Sequence, residues 1–234
     1  MLASARTGRH QKLCTMYGVG GFDAGAEFDR QVGRLVALGY PEHAGCSVEE
    51  LRRLVTPLRE VAVDRSADLD PPSADRVPFV LVVTVAAAEV AMGLTELGGH
   101  PGFTDLRPHA ADRFRPVADL GVPAAPAYLV IDVERGSEYR NATPDDAVGA
   151  ITARGRTPIT VEEGIALLTH HPRTLERNHC WSLAGSRAGD RRVPAIWISK
   201  GAPRLGWCWA GNPHTWLGTA SAGSRYGSDA PATG

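Results

Sequence analysis

The 234 residues are 43% hydrophobic and 22% charged, with a net charge of -1, the balance of an ordinary folded domain. That near-neutral total argues against a general binder of nucleic acid or of acidic membrane surfaces. No apolar run reaches the roughly 20 residues that span a bilayer, and four dispersed cysteines do not form a disulfide scaffold, so a reduced, cytoplasmic setting is the expectation.

Residues 1–25 are polar and then glycine-rich; they read as a disordered leader, with Met16 as a second candidate start. From Glu27, the positions Phe28, Val32, Leu35, Val36 and Leu38 recur at helical spacing until Gly39-Tyr40-Pro41 stops them. Ser47 and Glu50 then form a capping box for a second helix with Leu51, Leu54, Val55 and Leu58 as its stripe. Pro57 kinks that helix or ends it early. This helical pair, residues 26–62, is expected to pack on a core domain spanning 77–225. A polar linker with Pro71-Pro72 separates them.

Val77 to Thr84 is nearly continuous β-branched and aromatic material, a strand buried on both faces. A helix is expected over Ala86–Leu97, closed by Gly98-Gly99, and a long ordered loop from His100. Tyr128–Val133 is a second strand. Thr143-Pro144-Asp145-Asp146 opens a helix with cap, proline and acidic first turn in place. Thr160 and Glu163 open the next by the capping-box pattern, and Pro172 stops it. Strands over Val193–Ile198 and around Leu205–Ala210 follow, and residues 226–234 read as a frayed tail. The order argues for an α+β fold, a mixed sheet with flanking helices and an N-terminal helical segment.

No cofactor is expected. Neither Thr84 nor Val133 is followed by a glycine-rich nucleotide fingerprint, and Gly18-Val19-Gly20-Gly21 lacks both a preceding strand and a phosphate-binding lysine. The unusual chemistry is gathered late. All five tryptophans lie between Trp181 and Trp216, and residues 181–234 hold six basic and two acidic groups.

Three readings compete there. A polar rim of Arg187, Arg191, Lys200, Asn212 and His214 beside indole faces suits a small polar or anionic ligand, or a protein partner. Alternatively, Cys180 or Cys208 acts as a nucleophile with His179, His171 or His214 as base in a hydrolase or transferase. A zinc-assisted version would draw its ligands from His171, Cys180, Cys208 and His214, at spacings longer than metal-binding pairs usually show. The third class is a complex-forming protein without a ligand pocket, marked by an exposed apolar patch around Leu35, Leu51 or Leu58.

Ile159–Leu167, Asn178–Leu183 and Leu205–Gly218 carry a resemblance. Through them the chain resembles a family of uncharacterised actinobacterial proteins, a domain of unknown function, over roughly residues 26–225. That resemblance implies one intact domain and transfers no catalytic residue.

Overall fold

The computed structural model describes residues 22–84 and 86–228. The expected leader up to residue 21, Met16 included, and the tail from residue 229 lie outside the described residues. Helix α1 (Ala24–Ala37) begins at Asp23, whose carboxylate accepts the Ala26 amide at 2.9 Å. Gly39 turns the chain with φ +77°, and α2 (Tyr40–His43) is a single turn. The Ser47–Glu50 capping box opens α3 (Val48–Val55), with both reciprocal hydrogen bonds made. Pro57 then ends one helix and heads another, α4 (Leu58–Arg65). A proline at a helix start forgoes an amide that would have had no partner there. The expected pair is therefore four short helices.

Strand β1 (Arg76–Val83) is buried on both faces after its first residue. Helix α5 (Ala88–Gly93) is shorter than the pattern predicts. The Thr95 hydroxyl turns back to the Met92 carbonyl at 2.7 Å. Gly98 and Gly99, both at positive φ, then close a small hairpin of β2 (Glu96–Leu97) and β3 (His100–Pro101). Next come β4 (Phe103–Thr104), β5 (Arg115–Pro116) and β6 (Ala127–Glu134). Helix α6 (Pro144–Ala153) is capped by Thr143, and α7 (Val161–His170) by the Thr160–Glu163 box; β7 (Thr157–Pro158) lies between them. The chain finishes with β8 (Cys180–Ser182), β9 (Ser186–Arg187), β10 (Arg192–Ser199), β11 (Ala202–Trp209), β12 (Leu217–Thr219) and β13 (Ser221–Gly227).

The fold is α+β. One sheet has the order β1-β6-β13-β7, a second the order β12-β8-β10-β11-β4, and two small two-stranded sheets pair β2 with β3 and β5 with β9. Strand β13 continues past the point where fraying is expected, because Tyr226 and Gly227 pair with Leu129 and Tyr128 of β6. It is anchored there by Arg225, whose guanidinium forms a buried two-pronged pair with Glu163 on α7 at 2.5 and 2.8 Å.

One continuous apolar core runs from α1 through β1 and β6 into α7 and β10. Leu35, Leu51 and Leu58 belong to it, each no more than 2% exposed. The surface patch that would mark a complex-forming protein is thus interior packing. No helix among the described residues is long and apolar enough to cross a membrane.

Candidate functional site

The site is built on the β10–β11 hairpin. Lys200 (φ +53°) and Gly201 (φ +84°) form its two-residue turn, and Ser199 pairs with Ala202 across it. Two left-handed residues give a turn whose twist matches the flanking strands. Side chains on directly paired residues share a face. The pairings Trp197↔Arg204, Ala195↔Gly206 and Val193↔Cys208 therefore define one face, and Pro194↔Trp207 and Arg192↔Trp209 the other.

The late tryptophans do not form one cluster. Trp181 is fully buried in β8. Trp207 and Trp209 lie edge to face, ring centroids 4.9 Å apart, and the Arg192 guanidinium sits over both at 4.6 and 4.8 Å. Arg192 is held by Asp190 at 2.5 Å, which also meets His109 Nε2 at 2.9 Å. The His109 hydrogen bond, reinforced by the Arg192 amide and guanidinium, keeps the Asp190 carboxyl at about 2. Trp207 Nε1 donates to the Arg107 carbonyl at 2.8 Å. Trp207 is thus tied to its own chain, while Trp209 stays partly exposed.

The opposite face is open. Trp197 lies over Gly206, where a Cβ would collide with its ring. The Arg204 guanidinium covers it at 4.9 Å and is tied to Asp105 at 2.9 Å. Trp216 meets it edge-on at 6.1 Å and stacks obliquely with His214 at 5.2 Å. The loop carrying these last two residues is pinned by backbone hydrogen bonds. Asp145 donates to Ala210, Asn141 to His214 and Cys180 to Trp216, at 2.8 to 3.1 Å.

Two concavities adjoin across the Trp197–Trp216 pair. One, of about 480 Å³, is bounded by Arg177, Asn178, Lys200 and the Cys180 strand. The other, of about 270 Å³, reaches Ala195, Cys208, Asn212 and His214, with Trp207 and Trp209 at its β11 margin. No acidic residue lines either one. The Nε2 atom of His214 is buried without a hydrogen-bond partner.

Of the residues expected to bind ligand, Lys200 lines the larger chamber, and Asn212 and His214 the smaller. Arg187 and Arg191 stand apart from both. Arg187 faces Asp145 at 3.6 Å, and the Arg191 guanidinium lies against Gly211. Arg177 and the walls Trp197 and Trp216 were not singled out as binding groups by their local sequence. A compositional signal does point to this corner. Lys200 is one of only two lysines in a chain with 23 arginines.

The residues of the thiol and zinc readings are brought together only in part: Cys208 and His214 line the smaller concavity, and Cys180 borders the larger. Burial pushes the Cys208 thiol up to about 12, although Arg187 pulls the other way. Burial also raises Cys180, whose Sγ donates to the Glu176 carbonyl at 3.5 Å. His179 is adjacent in sequence but turns its Nδ1 to Arg135 and Ser137, at 3.2 and 3.4 Å. His171 is remote from the hairpin, beside Glu27 and Gln31 at 3.4 Å. Among the described residues, no group of three or more His, Cys, Asp and Glu side chains is placed to share a metal ion.

Neither a curated protein nor a solved structure matches this chain. A family model does match, over residues 34–228. The chain belongs to a family of unknown function, DUF5701.

Proposed function

We propose that this protein is a binding domain that receives a small polar ligand, one with a flat ring or a sugar-like body, in the cleft divided by Trp197 and Trp216. The supporting observation is that two concavities of ligand size share one rigid indole wall. Trp197 is held between Gly206, Arg204 and Trp216, so little side-chain freedom remains to be lost on binding. Asn212 and the unpartnered Nε2 of His214 supply the polar contacts that orient a ligand.

Binding is favoured over thiol catalysis because burial raises both Cys208 and Cys180, which disfavours the reactive thiolate at either position. The protein-partner version has less support. The exposed large apolar residues Val48, Val63, Val90, Phe103 and Trp209 lie one each on α3, α4, α5, β4 and β11. A cytoplasmic setting belongs to the same reading, supported by the free thiols of Cys46, Cys180 and Cys208.

The test is a titration of intrinsic tryptophan fluorescence with four probes: methyl glucoside, benzyl alcohol, glucuronate and benzoate. At least one should give a saturable change that Trp216→Ala abolishes while the far-ultraviolet spectrum stays folded. Four flat titrations of the wild-type protein would sink the reading.

A further inference from the structure

The two chambers differ in charge, and the difference specifies the ligand further. The arginines packed on the faces of the hairpin each have a carboxylate: Arg192 has Asp190, Arg204 has Asp105 and Arg187 has Asp145. Arg177 and Lys200, on the rim of the larger chamber, have none. Their side chains are exposed, and among the described residues neither has a hydrogen-bond or ion-pair partner.

Lys200 is unusual on two further counts. It is the only lysine among the described residues, in a chain that otherwise uses arginine. It also occupies a left-handed turn position, φ +53°, where asparagine, aspartate or glycine is the usual occupant. Turn geometry alone does not call for a lysine there. A compact ammonium that rotates freely does suit an oxyanion whose orientation is set elsewhere, by the indole wall.

Resting on the cleft reading above, we infer that the ligand is an anion, with its carboxylate or phosphate seated between Arg177 and Lys200 and its ring or sugar body against Trp197 and Trp216. The two cations supply charge-assisted hydrogen bonds. Asn178, which also lines this chamber, offers an amide to the same group.

The experiment uses matched probes on the full chain at low salt. Benzoate and phenyl phosphate are compared with benzyl alcohol, and glucuronate and glucose 6-phosphate with methyl glucoside. In at least one series the anionic members should bind about tenfold more tightly than their neutral counterpart. The preferred member shows whether the seat takes carboxylate or phosphate. Lys200→Ala and Arg177→Ala should each remove most of that preference, read as the ratio of anionic to neutral affinity. Lys200→Arg should keep it, and added salt should shrink it.

Equal affinity for neutral and anionic probes would overturn the charge assignment and leave the cleft standing. So would an anion preference that survives both alanine variants. No saturable response to any probe would remove the cleft reading and this inference together. Both substitutions are at exposed positions, so thermal melts of the variants should overlay that of the parent.

Discussion

On one face of the β10–β11 hairpin, Arg192 fills the space between Trp207 and Trp209, and Asp190 neutralises it. On the other face, Trp197 and Trp216 meet edge-on and leave concavities on both sides of them. The residue types are the same: indole, guanidinium and carboxylate. What differs is closure. A guanidinium stacked on two rings and paired with its own carboxylate has spent its interactions inside the chain. Two unpaired cations beside a fixed indole wall have theirs still available. Aromatic and basic composition therefore does not separate the two faces; on the proposed reading it is the unpaired charges of Arg177 and Lys200 that mark the binding side.

Acid is expected to have the largest effect, and it should act on the body of the protein before it acts on the hairpin. His170 and His171, at the end of α7, are held neutral. Burial lowers His170 from an ordinary value near 6.5 to about 3. It lowers His171 to about 4 against the opposing pull of Glu27. The unfolded chain takes up these protons first, so the stabilisation is complete above about pH 6.5 and is lost as pH falls toward 4 and then 3. Asp190, held at about 2, keeps its charge throughout that window. The melting temperature should be flat above pH 7 and fall steadily below 6.5. A level profile between pH 7 and 4 would show that the imidazoles are not buried neutral.

Gly206→Ala tests the floor of the open face. The added methyl collides with Trp197 and should cost about 1–3 kcal/mol of stability by overpacking. It should also weaken probe binding, because the wall itself shifts. An alanine tolerated with unchanged binding would mean that Trp197 does not rest where the geometry puts it.

Arg192→Ala sharpens the contrast from the closed face. It removes two cation–ring contacts, at a cost of about 1–2 kcal/mol, and should leave probe affinity unchanged. A loss of binding here would mean that the two faces act as one site. Asn212→Ala should do the reverse. Its side chain is exposed, so chemical denaturation should shift by less than about 0.5 kcal/mol, while probe affinity falls about fivefold through a lost hydrogen bond.

Much of the fold was legible where local chemistry decides it. The capping boxes at Ser47 and Thr160 and the Thr143-Pro144 start all head helices, because each needs only residues three or four apart. Strand alternation also placed Trp207 and Trp209 on one face and Cys208 on the other. It does not say which face is filled from outside the hairpin. That depends on Asp190, Asp105 and the loop at 210–217, which meet the hairpin only in three dimensions. The short strands β7, β8, β9 and β12 were hidden for the same reason, being defined by partners rather than by their own pattern. The Lys200 signal was present in the sequence but lay in composition: a rare residue type at a turn.

The most direct measurement reads the indole Nε1–H resonances of the five tryptophans by two-dimensional NMR, assigned through single Trp→Phe variants, during titration with benzoate or phenyl phosphate. Binding in the cleft predicts the largest saturable shifts at Trp197 and Trp216, which line both chambers, smaller ones at Trp207 and Trp209 on the margin of the second, and none at the buried Trp181. Shifts confined to Trp207 and Trp209, or five unmoved resonances at saturating probe, would contradict the assignment of the cleft.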